Sequence, residues 1–259
     1  MDLGIAGRRA LLFGASRGLG LACALQLVRE GAEVTIAARG AASLAEAASD
    51  IERQTGRRVA TVVADLTRAE GRAAALAACP EPDILLNNAD GPAPGDFRDW
   101  TRADWIAALD ALMLGPIEMI RMTVDGMIAR RYGRIVNLVS RSVKIPQPEL
   151  GLSNGARSGL VGFVCGLARQ SVRYNVTINN LLPGLFASGA QWAHIERLAE
   201  REHRSAGELR REREAAIPAG RFGDPAELGA YFAFLCSRQA SYITAQNLLI
   251  DGGSYPATY

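Results

Sequence analysis

The sequence predicts an α/β fold, a doubly wound parallel sheet with helices on both faces, in one domain spanning residues 1–259. Three observations predict it. Short apolar runs alternate with longer helical patterns from end to end, the rhythm of parallel strands joined by crossover helices. The first run leads through closely spaced glycines directly into a helical pattern. No linker, internal repeat or low-complexity segment interrupts the chain.

The elements follow in order. "RALLFG" (Arg9–Gly14) reads as the first strand, and "GLACALQLVREG" has helical spacing that stops at Gly31. "EVTIAA" (Glu33–Ala38) is a second buried strand, followed by alanine-rich helix to about Gln54. "RVATVVADL" (Arg58–Leu66) and "DILLNNA" (Asp83–Ala89) supply strands three and four. A long helical tract runs roughly from Arg102 to Arg131, ahead of the fifth strand "GRIVNLVS" (Gly133–Ser140). Helix resumes near Ser153–Tyr174, and "NVTINNLLPG" (Asn175–Gly184) forms a sixth strand ending in a Pro-Gly turn. A helix from about Pro225 to Ser237 and the strand "NLLIDGG" (Asn247–Gly253) close the chain. The charged tract "QWAHIERLAEREHRSAGELRREREAA" (Gln191–Ala216) stands apart. It reads either as solvated helix held by Glu/Arg pairs or as a lid at about 185–216, since ligands of such sheets bind beyond the carboxyl ends of the strands.

Composition narrows the function classes. Hydrophobic residues make up 49% and charged residues 22%, values of a globular chain with a sizeable core. A net charge of +2 gives no field that implies nucleic acid. The amino-terminal apolar run is too short for a signal peptide or a membrane span. Cys23, Cys79, Cys165 and Cys236 are scattered without a CxxC pair, and the histidines are only His194 and His203. Buried, reduced thiols in a cytoplasmic protein without a metal site are expected. Lys144 is the only lysine.

The turn "FGASRGLG" carries the cofactor expectation. Gly14, Gly18 and Gly20, with Ser16, Arg17 and Leu19 between them, separate a buried strand from a helix. Such glycines let the backbone approach a pyrophosphate at the helix N-terminus. An acid at the end of the second strand would select NAD by binding the ribose 2′-hydroxyl. Here that strand ends in Ala37, Ala38 and Arg39. Arg39 together with Arg17 suits a 2′-phosphate, so NADP(H) is favoured over NAD(H).

"GASRGLG", "ADL", "LLNNA", "IVNLVS", "INNLLPG" and "IDGG" occur in an order and spacing that resembles the short-chain dehydrogenase/reductase family over essentially the whole chain. The resemblance implies a Rossmann-type sheet with Asp65 and Leu66 beside the adenine. It places Asn87, Asn88, Ala89 and Asp90 after strand four near the cofactor, and Pro183 and Gly184 by the nicotinamide. It also implies dimers or tetramers assembled through the long central helices, and a mobile lid where the charged tract lies.

The family's asparagine, serine, tyrosine and lysine are only partly matched. Ser140 takes the serine position, but the YxxxK frame falls on Ser153 and Arg157, and the asparagine on Leu112. The glycine that ends "NNAG" is Asp90, and the threonine of the first glycine motif is Phe13. A tyrosine of pKa about 10, lowered by a neighbouring cation, exchanges protons near neutrality. A serine hydroxyl is a far weaker acid, and arginine keeps the charge without titrating. Lys144, Asp90, Glu149 and His194 are the candidate replacements, with Asn154 as a residue that orients water.

The resemblance therefore implies a divergent NADP(H)-binding oxidoreductase of a carbonyl/alcohol pair, with Ser140, Ser153 and Arg157 as its catalytic set. Two alternatives stand beside it. One is a catalytically silent cofactor-binding or regulatory subunit paired with an active homologue. The other is a non-redox enzyme, a C–C lyase or dehydratase, on the same fold.

Overall fold

The computed structural model describes residues 1–258. Seven strands form one parallel sheet in the order β3-β2-β1-β4-β5-β6-β7. They are β1 (Arg9–Phe13), β2 (Glu33–Ala38), β3 (Ala60–Val63), β4 (Ile84–Asn87), β5 (Gly133–Leu138), β6 (Val176–Pro183) and β7 (Asn247–Ile250). The helices are α1 (Gly18–Arg29), α2 (Ala41–Thr55), α3 (Ala69–Ala78), α4 (Arg102–Leu109), α5 (Gly115–Ala129), α6 (Gly151–Ser171), α7 (Gly189–Glu202), α8 (Ala206–Ala215) and α9 (Pro225–Cys236). This is the single-domain, doubly wound α/β architecture that the sequence predicts.

The strands read as apolar runs because both of their faces are covered. Ala10, Leu12, Val34 and Ile36 point to one side, where they pack with residues of α1, α2 and α9. Leu11, Phe13, Ala37 and Leu85 point to the other, against α5, α6 and Ala75 of α3. Strand order reverses between β1 and β4, which pair Leu11 with Leu85 and Leu12 with Leu86. That reversal opens a crevice at the carboxyl edge of the sheet.

Several elements differ from expectation. Helix α3 is not predicted; its "AEGRAAALAA" buries only Ala75, so its apolar periodicity is faint. The tract Arg102–Arg131 is not one α-helix, because Asp110–Leu114 opens into a π-turn between α4 and α5. Pro116, inside the first turn of α5, has no N–H to give the Leu112 carbonyl four residues back. Gly115 N–H bonds Asp110 instead, the wider spacing of a π-turn. The strand expected over Arg58–Leu66 shrinks to an exposed edge strand at Ala60–Val63. Cys165 is exposed, on the outer side of α6, whereas the other three cysteines are buried.

The charged tract folds as the pair α7 and α8. Its outward side carries Arg204–Glu212 at 2.7 Å and Arg210–Glu214 at 2.9 Å. Its inward side builds a small core from Ile195, Ala199, Leu209, Ile217 and Phe222. The outward side thus matches the reading of a solvated helix face held by Glu/Arg pairs.

Candidate functional site

Parallel strands bring their carboxyl ends and following segments to one edge, where the expected cofactor residues other than Arg157 lie; Arg157 comes from α6. Gly14 to Gly20 follow β1, Arg39 follows β2, Asp65 and Leu66 follow β3, and Asn88 to Asp90 follow β4. Ser140 follows β5, while Pro183 ends β6 and Gly184 succeeds it.

The glycine turn is tied to the crevice by one bond. Asn88 Nδ2 donates to the Gly14 carbonyl at 2.9 Å. Gly14 has φ +61, where a side chain is strained. A Cβ on Gly20 would collide with the Gly14 carbonyl oxygen, so only glycine lets the helix start so close to the strand. Helix α1 begins with no side-chain cap and no acid in its first turn. Its amino-terminal N–H groups and partial positive charge face the crevice without a protein anion of their own.

Arg17 and Arg39 meet, as their joint assignment requires, but around a protein carboxylate. Asp90 Oδ2 lies 3.4 Å from Arg17 Nη2 and 3.0 Å from Arg39 Nη2. All three side chains are exposed. The sequence places Asp90 near the cofactor but gives no sign of this pairing, because residues 17, 39 and 90 converge only through the strand order. At Asp65, partial burial raises the carboxyl's pKa. Hydrogen bonds from the Thr67 N–H and hydroxyl, with Arg39 and Arg68 nearby, outweigh burial and lower it overall.

On α6, Ser153 and Arg157 stand one turn apart. Arg157 Nε donates to Ser153 Oγ at 3.0 Å, and Nη1 donates to the Leu138 carbonyl at 2.9 Å. Leu138 ends β5, so this bond docks the guanidinium two residues before Ser140. Burial lowers the Arg157 pKa to about 10, which leaves it charged at neutral pH. A Cβ on Gly91 would come within 3.7 Å of Arg157 Nη2 and 3.8 Å of Ser153 Oγ, which sets the loop after β4 beside the pair. Ser140 Oγ accepts from the Ser142 N–H at 3.1 Å. Each serine oxygen therefore takes a hydrogen bond from the protein while its own O–H remains to donate.

A cavity of about 1370 Å³ opens next to these residues, bordered by Gly91, Arg141 and the inner side of α7–α8. Of the candidate replacements for the tyrosine, Glu149 and His194 line it. Lys144 does not; its Nζ stands 5.2 Å from the centre of the Tyr255 ring. Asn154 Nδ2 is engaged by the Gln147 carbonyl at 2.9 Å. Leu112 is buried within the π-turn. No helix among the described residues is long and apolar enough to cross a membrane.

Fold and site together define a dinucleotide-binding α/β protein of the Rossmann type. The chain belongs to the short-chain dehydrogenase/reductase family. A family model described as enoyl-(acyl carrier protein) reductase matches residues 14–255. The chain is 32% identical to gluconate 5-dehydrogenase of Gluconobacter oxydans over 253 residues, covering 96% of this chain and 95% of the relative. It is 31% identical to 3-oxoacyl-(acyl-carrier-protein) reductase of Vibrio cholerae, covering 98% and 99%. Its fold is similar to L-sorbose reductase from Gluconobacter frateurii, solved with NADPH and L-sorbose, with TM-score 0.94, 28% identity and all of both chains covered.

Proposed function

We propose that this protein is an NADP(H)-dependent oxidoreductase that interconverts a carbonyl and an alcohol, using Ser140, Ser153 and Arg157. The observation that carries the reading is the Arg157–Ser153 pair, docked on the end of β5 beside Ser140 and next to the glycine crevice.

The residues fit a dinucleotide. Gly14 and Gly20 leave a cradle that a Cβ would fill, and the uncapped start of α1 suits a pyrophosphate. Asp65 and Leu66 would border the adenine, and Asn88, Ala89, Pro183 and Gly184 the rest of the cofactor. Arg17 and Arg39 would take a 2′-phosphate in place of the Asp90 carboxylate they now hold. NADPH stands in the solved L-sorbose reductase, which supports the same choice here.

When bound, the nicotinamide would supply or accept the hydride; the rest falls to the protein. Ser140 and Ser153 would donate their O–H groups to the substrate oxygen. Arg157, charged and half-buried, would hold the nicotinamide ribose and stabilise negative charge developing on that oxygen. Its hydrogen bond to Ser153 Oγ makes the serine O–H a better donor. The proton that ends on the alcohol would arrive from water through a serine hydroxyl, since arginine does not relay it. The site thus relies on electrostatic stabilisation where a tyrosine would supply general acid catalysis, a difference of about 10²–10⁴-fold.

The cavity-facing α7–α8 pair would act as the lid. Exposed Trp105, Ile106, Met122 and Phe163 on α4, α5 and α6 support a homodimer or homotetramer built on those helices. Free cysteines fit a cytoplasmic enzyme. The test is an assay of purified protein with NADPH and NADH over a panel of ketones, alongside cofactor binding. Ketone-dependent NADPH oxidation is expected. Tight NADPH binding without turnover of any ketone would favour the silent-subunit reading.

A further inference from the structure

The carbonyl chemistry does not account for the charge of the cavity beside it. We propose that this cavity binds the anionic group of the substrate, a carboxylate or a phosphate, between Arg141 and Arg213 with Arg197 alongside. The proposal rests on the oxidoreductase reading only for the reaction that the anchored molecule undergoes.

The three arginines come from opposite walls. Arg141 follows Ser140 directly, Arg197 lies on α7 and Arg213 on α8, and all three line the cavity. Arg141 and Arg213 are half-buried, and among the described residues the side chains of all three make no ion pair or hydrogen bond. The outward arginines of the same helices differ, since Arg204 and Arg210 hold glutamates at 2.7 and 2.9 Å.

The carboxylates in the cavity do not balance the charge. Asp96 is taken by Arg98, which reaches both of its oxygens at 3.1 Å. Arg201 leans on Glu202 at 3.6 Å. Glu149 is the remaining carboxylate in the lining, against Arg141, Arg197 and Arg213. A cation partly stripped of water and given no counter-charge is costly, and an incoming anion relieves that cost. His194 stands in the same field. Burial lowers its pKa, and Arg213, Arg197 and Arg201 lower it further.

Position adds specificity. Because Arg141 adjoins Ser140, an anion held there sits on the same molecule as the reacting carbon, a few bonds removed. Paired arginines suit the planar or tetrahedral oxygens of a carboxylate or phosphate.

The experiment uses three probes of one carbon skeleton: gluconate, sorbitol 6-phosphate and neutral sorbitol. Each is titrated calorimetrically into the NADP⁺-loaded protein and assayed for NADP⁺ reduction. At least one anionic probe should bind about tenfold or more tighter than sorbitol, the scale of one charge-assisted hydrogen bond. The better of the two identifies the anion. Arg141→Gln and Arg213→Gln should each erase about tenfold of that preference while NADP⁺ affinity stays unchanged, which also shows that the variants fold. Equal binding of all three probes, no binding of either anion, or a preference that survives both substitutions would overturn the proposal. An anion preference without nicotinamide reduction would leave the anion site standing and count against the oxidoreductase reading.

Discussion

Asp90 is a single side chain with two consequences. It stands where the resemblance in sequence leads one to expect a glycine, and its carboxylate lies between Arg17 and Arg39. A 2′-phosphate would have to displace it and then bear its repulsion. Asp90→Asn should therefore tighten NADPH binding a few-fold, the scale of two exposed ion pairs at about 0.2–1 kcal/mol each, and leave NADH binding unchanged. Cofactor titration by fluorescence checks this, and an equal change for both cofactors would contradict it. The other decisive pair is Ser153 and Arg157. Ser153→Tyr with Arg157→Lys should raise NADPH-dependent reduction by about 10²-fold if proton donation limits the rate. Arg157 brings no pH dependence to stability near neutrality. With its folded pKa lowered to about 10, it is protonated in both folded and unfolded chains below that pH.

Helix starts and buried side-chain rows govern the next scale. Asp224 and Glu227 form a capping box on α9, and Arg221 reaches both Glu227 oxygens at 2.9 and 2.7 Å. Arg221's hydrogen bonds, then that from the Asp224 N–H, lower the Glu227 pKa to about 2. A carboxyl depressed in the folded state stabilises above its unfolded pKa of about 4.5, and that contribution fades as pH falls toward 2. Thermal melts should show Glu227→Gln less stable than the parent at pH 7, by a fraction of a kcal/mol because the pair is exposed, with the gap closing near pH 2. Within the sheet, Asn87, Asn137, Asn180 and Asn247 bond in a row across β4 to β7 at 2.9, 2.9 and 2.8 Å. The registers set them side by side. Asn137→Leu would strand a buried partner on each side and should cost roughly 2–6 kcal/mol in a denaturant titration, at ~1–3 kcal/mol per unpaired group. These asparagines appear in the sequence as parts of "LLNNA", "IVNLVS", "INNLLPG" and "NLLIDGG", but a row across strands is invisible until the register is known. The π-turn at Asp110–Leu114 is hidden for a related reason. Apolar spacing continues through it, and only Pro116 marks the missing donor.

At the scale of the molecule, the alternation of apolar runs and helices carried most of the fold, since burial on both faces leaves unbroken apolar strands. What convergence alone creates was not legible: Asp90 between two arginines, Arg141 and Arg213 lining one cavity, and the outward and inward sides of α7–α8. Assembly belongs here too. Phe163 on α6 and Trp105 on α4 stand 40% and 38% exposed, large apolar surfaces that an interface would cover. For the homodimer or homotetramer proposed on these helices, Phe163→Glu with Trp105→Glu should lower the mass measured by light scattering; an unchanged mass would exclude this face as the interface. On the proposed function, Ser140, Ser153 and Arg157 support hydride transfer between NADP(H) and a carbonyl without a tyrosine and lysine beside them. Deuterium at the nicotinamide C4 tests it most directly. With the reactive face labelled and an accepted ketone present, mass spectrometry should find one deuterium on the product carbinol carbon for each NADPH consumed. Product formed without label and without loss of NADPH would contradict the account and assign the site to non-redox chemistry.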